Sequence, residues 1–356
     1  MALEWITEPA RFQAVAPAWD RLADTDRTPF ARHAWYSSWW EAFGHGRRLS
    51  VCALWEGDEL LAAFPLVRRR SRLEAMANIH TPLFRPLARD QESLEAVVQA
   101  VLAASAGEVA APALPADDPA LAALVAESRR AGRLTLVERQ HTSPIVDLED
   151  DFTEYRRRMK SKLGPIERKG RKLEREHGPE FRLLSPPADF ERELERGLEV
   201  EAAGWKGKSG TAVLSSADTG VFYRSIARAF HARGELTLSS ISLDGRVIAF
   251  SLGLLHRGRL YLLKTAYDES FGPVAPGMVL RMAIVERCFE LGLEAHELLG
   301  DDTAWKRRFA TSGREHRGFY SYRRRPKPAL RYAYRKALRP LLKRARGAAQ
   351  ERLGRS

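Results

Sequence analysis

The sequence predicts an α/β protein of mixed sheets, built as two tandem copies of one unit, and three observations carry the prediction. Helical spacing and strand alternation of apolar residues take turns along the whole chain instead of falling into separate blocks. A tight hairpin recurs, LWEGDELLAAF around Gly57 and SLDGRVIAF around Gly245, with the glycines 188 residues apart. Each hairpin follows two helical stretches and precedes a similar order of helices and strands.

Residues 8–24 and 30–43 read as helices, the second with Trp35, Trp39 and Phe43 at i, i+4, i+8. Aromatics at that spacing are ordinary burial. Strands at 49–55 and 60–68 flank the turn Glu56-Gly57-Asp58. An irregular Pro/Arg-rich stretch (70–90), a helix (91–105), a strand (108–113), a helix (118–131) and a strand (133–139) complete the first round. A charged helical pair at 151–177 is expected to break at Gly164-Pro165, where proline removes a helix hydrogen bond. The second round reads as a strand at 180–184, helices at 187–205 and 219–233, and strands at 235–243, 246–256 and 259–267. A loop ending in Ala275-Pro276-Gly277 leads to a helix (278–291), a strand (295–299), a helix (302–311) and a strand (316–323).

With 356 residues, 44% apolar and 29% charged, the chain can bury one or two cores and is neither disordered nor fibrous. No apolar stretch approaches the ~20 residues needed to cross a bilayer, and the start lacks a basic head and apolar stretch, so a cytoplasmic protein is expected. Cys52 and Cys288 lie far apart without His or Cys at ligand spacing, which argues for core thiols and against a disulfide scaffold or a zinc site, and no metal is expected. The net charge of +12 looks like a nucleic-acid signature until it is mapped. Residues 323–356 hold 13 Lys/Arg and one acid, Glu351; the remaining chain has 45 basic and 45 acidic residues. The basicity belongs to a tail.

Several segments together carry a family resemblance. They are Thr28-Pro29-Phe30 with Trp35 and Trp39-Trp40, the Arg/Lys-rich helix 168–175, Glu201 with Trp205-Lys206-Gly207, Gly245 to Ala249, Tyr261 to Asp268, Pro276-Gly277, and Gly300 to Phe309. On these blocks, over residues 5–323, the chain resembles the CelD/BcsL family of acetyltransferases, linked with cellulose and exopolysaccharide biosynthesis. That family has the GNAT fold of N-acetyltransferases and is related in fold to FemAB-type transferases. The resemblance implies a degenerate GNAT-like unit at 1–145, a catalytic GNAT-like unit at 146–323 and a basic tail at 324–356. The first unit is read as degenerate because Phe84-Arg85-Pro86-Leu87-Ala88-Arg89, at the place of the later Pro-Gly loop, has no glycine.

Val274-Ala275-Pro276-Gly277-Met278 precedes a helix, whose first turn offers open N–H groups and a positive dipole end. In the family this is where the pyrophosphate of acetyl-CoA sits; on the residues alone it is equally a strand-to-helix turn. Lys264 is one charge in the apolar run 261–267, and strict alternation puts it on a face with Leu262 and Ala266. It either snorkels at an edge or, as the family implies, enters a polar cleft. Glu201 and Trp205 are helix neighbours at i, i+4, a general base set against an apolar ring or an exposed glutamate beside a packed tryptophan. The resemblance favours the base, with Trp205 in the substrate cleft.

Asp268 reads as a loop cap that could also accept a proton, and Asp301 as a helix N-cap at the cleft. The resemblance turns Lys306 towards the cleft, whereas on its own it is a surface ion-pair partner. No tyrosine lies between residues 301 and 311, so protonation of a departing thiolate falls to Tyr267 or water. Gly207-Lys208-Ser209 lacks the earlier glycine of a phosphate loop, so a nucleotide site is rejected. The expected activity is acetyl-CoA-dependent acylation of an amine on a small molecule or sugar precursor. An aminoacyl-tRNA-dependent transferase and a non-catalytic adaptor on a membrane surface are the alternatives. In the tail, Leu330, Tyr334, Leu338, Leu341 and Ala345 form one helical stripe among arginines and lysines, suited to an anionic membrane, to docking on the body or to RNA.

Overall fold

The structure, a computed structural model, describes residues 1–185, 188–204, 207, 210 and 212–339. The chain divides into two compact units, one of residues 1–25, 44–140 and 316–356, the other of residues 26–43 and 141–315.

In the unit containing 141–315, strands run in the order Glu180–Ser185, Leu236–Leu243, Arg246–His256, Arg259–Tyr267, Ala295–Glu297 and the last residues of Leu134–Asp147. All neighbours are antiparallel except Arg259–Tyr267 with Ala295–Glu297, which are joined by the helix Pro276–Glu290. That helix buries Leu280, Ile284 and Cys288 in a core shared with Leu163, Ile166 and Leu173 of the helix Lys160–His177. Full burial of each such side chain stabilises the fold by about 1.5–3 kcal/mol.

The helix Phe190–Ala203 crosses Arg246–His256 closely enough that a Cβ at Gly197 would overlap the Phe250 ring. Beside it, Ala217–His231 meets His33–Phe43 through the edge-to-face pair Phe222 and Trp35, with centroids 5.2 Å apart, and through Ser38 and Ser225, 3.0 Å apart. Trp35 and Trp39 are buried, and Phe30 is edge-on to Tyr261.

In the other unit, Ala2–Ile6, Val51–Glu56, Glu59–Phe64 and Leu87–Ala88 form a four-stranded antiparallel sheet carrying the hairpin at Gly57. A second group aligns the end of Ser312–Tyr322 with Glu108–Pro115, Arg72–Ala75, Leu66–Arg69 and Arg48–Leu49. Cys52 lies buried in the first of these sheets, and burial pushes its thiol up to about 12.

Most elements follow the sequence reading. The expected strand 60–68 is two, Glu59–Phe64 and Leu66–Arg69, the stretch 70–90 holds the short strands Arg72–Ala75 and Leu87–Ala88, and the strand expected at 133–139 runs on to Asp147. Four further differences have a local cause. The expected helix 302–311 is only a 3-10 turn, Lys306–Arg308. Lys306 and Arg307 donate to the carbonyls of Asp301 and Asp302, acceptors that the first turn of that helix would use, and Lys306 also donates to that of Leu299. The expected break at Gly164-Pro165 is absent: Lys160–His177 runs through Pro165, and the chain breaks at Met159 instead. One proline costs one backbone bond, and the buried Leu163, Ile166 and Leu173 offset it.

The first expected helix is two, Pro9–Ala14 and Ala16–Ala23, because Pro17 sits well in a first helical turn and poorly in a helix interior. Finally, strict alternation fails in Arg259–Tyr267. Leu252 pairs with Lys264 but Gly253 with Leu262, so Leu263 is an extra residue in a β-bulge. The bulge shifts the phase by one. Leu262 joins the core with Leu280 and Ile284, while Lys264 meets Glu201 and Tyr223.

Candidate active site

The bulged strand is paired with Ala295–Glu297 only through Arg259, Leu260 and Tyr261. Past that point a cleft of about 350 Å³ opens, lined by Thr265, Ala266 and Tyr267 on the strand, Gly277 and Met278 on the following helix, and Trp305. Val200, Glu201 and Gly204 at the end of Phe190–Ala203 also line it.

The helix wall is made by its own beginning. Asp268 starts a 3-10 segment, Glu269–Val274, by accepting from the Ser270 N–H at 3.0 Å. Ala275 then turns the chain with φ 46°, a left-handed conformation rare for alanine, and Pro276 occupies the first helical position. Ala275 has no capping side chain, and its carbonyl accepts from Met278 and Val279, so the Gly277 N–H stays at the open helix end. Gly277 is only partly buried, and a Cβ there would come within 3.0 Å of the Tyr267 ring. A glycine at an uncapped helix N-terminus is a cradle that a diphosphate can approach, so these residues fit the carrier that acetyl-CoA provides. Val274 and Pro276 are buried beneath it.

At the opposite wall Glu201 is 3% exposed. One carboxylate oxygen accepts from the Val213 N–H at 2.9 Å, and the other lies 3.9 Å from Lys264 Nζ. Lys264 Nζ also stands 4.8 Å from the centre of the Tyr223 ring. Burial, and then the charge of Glu201, raise the pKa of the Tyr223 hydroxyl far above its usual range, so it stays protonated. Glu201 and Lys264 are therefore brought together, with Tyr267 on the wall beside them.

The other expected residues are more dispersed. Asp268 accepts from the Ser270 hydroxyl at 2.6 Å and from Arg246. Burial works to raise its pKa, but Ser270 and Arg246 together bring it below the ordinary aspartate value. Lys306 holds the carbonyls of Leu299 and Asp301, stabilising a turn in which Leu299 and Gly300 both have positive φ. Asp301 is exposed, 3.9 Å from His141 Nδ1. Trp205 lies outside the described residues. Sequence reasoning assigned no role to Tyr223, Thr265 or Trp305. Tyr223 reads as one more aromatic of an amphipathic helix, and only the bulge aims Lys264 at it.

No group of three or more His, Cys, Asp or Glu that could hold a metal occurs among the described residues. No described helix is long and apolar enough to cross a membrane.

Residues 160–307, the segment that builds this cleft, match the family described as Acetyltransferase (GNAT) domain. No curated protein matches the chain. Among solved structures it is similar to the C-terminal DUF2156 domain of a provisionally named lysylphosphatidylglycerol synthetase from Agrobacterium fabrum (TM-score 0.57, 12% identity, 93% of this chain and 98% of that one). It is also similar to FemX (0.55, 12%, 90% and 97%) and to L-PGS from Bacillus licheniformis (0.54, 13%, 91% and 95%). At such identities these likenesses establish the fold alone. The fold is thus that of GNAT proteins, and by its domain at residues 160–307 this chain is an acyltransferase.

Proposed function

We propose that the chain is an N-acyltransferase that moves an acetyl group from acetyl-CoA to an amine on a small molecule or sugar precursor. The CelD/BcsL resemblance adds exopolysaccharide or cellulose biosynthesis as its setting. One observation carries the reading: the cleft joins an uncapped helix start at Gly277 to a buried carboxylate, Glu201, held by a lysine. In this reading the unit of residues 26–43 and 141–315 does the chemistry, and the other unit is a degenerate copy.

Gly277 and Met278 receive the carrier's phosphates, and Thr265 to Tyr267 align its thioester along the unpaired strand edge. Glu201 takes the proton of the incoming amine, directly or through one water, as the N–C bond forms and the C–S bond breaks. Lys264 offsets negative charge developing at the carbonyl, and the Tyr267 hydroxyl returns a proton to the leaving thiolate. Lys306 acts at a distance, by fixing the turn that carries Asp301. Asp301 and Asp268 contact the acceptor, and the family resemblance assigns Trp205 to acceptor binding as well.

The test is thiol release from acetyl-CoA in the presence of an amine panel, read beside the thermal shift given by acetyl-CoA. Glu201→Gln should bind the donor and release no thiol above background; Gly277→Glu should lose both signals. If acetyl-CoA produces no shift while aminoacyl-tRNA binds in a salt-sensitive way, the donor is aminoacyl-tRNA and the CoA reading is wrong.

We also propose that the tail seats the enzyme on an anionic membrane. The helix Pro326–Ala333 and the turn Tyr334–Leu338 face their unit with arginines: Arg335 and Arg339 donate to Glu138, and Arg331 lies 3.8 Å from Glu108. Leu330, Tyr334 and Leu338 face solvent at 72%, 49% and 54% exposure, flanked by the exposed Lys327 and Lys336. Apolar side out with basic flanks is the pattern of an interfacial helix. Vesicles rich in phosphatidylglycerol should sediment the protein, and Leu330→Ser with Leu338→Ser should abolish this. Unchanged sedimentation of that variant would reject the seat.

A further inference from the structure

In the unit of residues 1–25, 44–140 and 316–356, arginines crowd one end of a sheet where few carboxylates meet them. Arg48–Leu49 is the outer strand there, paired with Leu66–Arg69, which turns through Arg70 and Ser71 into Arg72–Ala75. The register sets Arg48 opposite Arg68 and Arg69 opposite Arg72, and like charges face to face weaken a ladder. Glu74 lies 3.1 Å from Arg72 and 4.0 Å from Arg47, and Glu108 lies 2.9 Å from Arg72. The side chains of Arg48, Arg68, Arg69 and Arg70 make no hydrogen bond or ion pair among the described residues.

The turn is tightly held and strained. Arg70 has φ 56°, a left-handed conformation that suits glycine, and its side chain is exposed. Behind it the chain at Gly107 comes so close that a Cβ there would lie 2.8 Å from Ser71 Oγ and 2.9 Å from the Ser71 carbonyl oxygen. Charges on edge strands do guard against unwanted pairing. Either sign serves that end, and it needs no arginine at a turn tip that glycine would fit better.

Alternation decides which way these arginines point. Arg72 pairs with Glu108 across the parallel ladder, and the same oxygen of Glu108 lies 2.9 Å from Arg72 and 3.8 Å from Arg331 of the tail helix Pro326–Ala333. Arg69, opposite Arg72, is therefore on the face of the sheet that carries the tail, next to Arg70 at the tip. Leu330, beside Arg331, is 72% exposed. An unpaired cationic hairpin end thus adjoins an exposed apolar stripe. The surface of an anionic bilayer offers phosphates beside hydrocarbon and matches both. RNA matches the arginines alone, because it binds single strands through aromatic stacking that Leu330 and Leu338 cannot supply.

We propose that the hairpin end at Arg69, Arg70 and Ser71 is a second membrane contact, in which the guanidiniums of Arg69 and Arg70 bind the headgroup phosphates of anionic lipid. The arginine fork fits two oxygens of one phosphate. Contacts on two separate elements fix which side of this unit faces the bilayer, which one helix alone does not. The contact shares its membrane with the tail seat proposed above but none of its residues, so the two are tested apart.

The full-length protein is sedimented with vesicles of phosphatidylglycerol and phosphatidylcholine. Arg69→Gln with Arg70→Gly should weaken partitioning by about 20–30-fold, and Arg69→Gln alone by about 5-fold. Glycine adopts φ 56° freely, so the double variant should unfold no earlier than wild type. If it does not fold, the single variant decides, since it leaves the turn backbone as it is. Partitioning equal to wild type overturns the proposal, whether or not the variant Leu330→Ser with Leu338→Ser still sediments. A wild type that ignores the vesicles rejects both contacts. If it instead binds RNA, and the arginine changes abolish that binding, the surface belongs to RNA and the membrane contact is refuted.

Discussion

Two helices at matching places in the two halves begin in opposite ways. Gln91–Ala104 is capped by Asp90, whose carboxylate accepts from the Ser93 N–H at 2.8 Å and from Arg89 at 3.1 Å. Leu87 and Ala88 before it pair with Ala63 and Ala62 at the edge of the four-stranded sheet. Pro276–Glu290 starts from Ala275, which has no capping side chain, and past Tyr261 the strand before it keeps Arg246–His256 as its partner but not Ala295–Glu297. A helix start already filled by its own carboxylate has nothing to offer a phosphate, whereas an uncapped one beside a strand gap does. The difference lies in one side chain, the carboxylate of Asp90 against the methyl of Ala275, not in the number of helices or strands.

The sharpest way to break the contrast is at the carboxylates themselves. Glu201→Gln is expected to lower kcat by about 10²–10³-fold in the amine-dependent thiol assay, with little change in acetyl-CoA affinity. Equal losses in affinity and turnover would make Glu201 a packing residue. Next in size, Gly197→Ala forces a Cβ into the Phe250 ring. It should cost about 1–3 kcal/mol in denaturant unfolding, with loss of activity following loss of fold.

The pH dependence of stability separates the polar centres of the units. His296 has its pKa held at about 3 when folded, against 6.5 when free. Between those values the unfolded chain binds a proton that the folded one excludes. Stability is therefore complete above 6.5 and falls as pH drops, by up to about 1.4 kcal/mol per pH unit from this group. His296→Gln should flatten that part of the curve relative to wild type; an unchanged slope would place the acid-sensitive group elsewhere. The smallest effect is expected at the filled cap. Asp90→Ala should cost about 1 kcal/mol of stability in the same unfolding experiment, and the thiol assay should not register it. A loss of turnover there would show that the first half is not the passive copy proposed above.

Much of this was legible in the residues. The hairpin at Gly245, the three long strands and the helix after Pro276 are written in alternation and turn chemistry that local sequence controls. Glu201 and Lys264 could be singled out as odd charges in apolar company, and Asp268 as a cap. Their meeting could not be read, because it depends on Leu263 being left out of register with Leu252 and Gly253. The 3-10 turn at Lys306–Arg308 was hidden for a similar reason: its acceptors are taken by side chains that a propensity reading counts as helix formers. The apolar stripe of the tail was visible, but its outward direction follows from Glu138, nearly two hundred residues away in sequence.

That extra residue at Leu263 also governs how this strand can be compared with others. Aligned against a regular strand without a gap, its last positions slip by one. An assignment meant for the residue beside Glu201 would then land on Leu263 or Thr265, so transfers of function onto this strand need a one-residue insertion placed before Lys264.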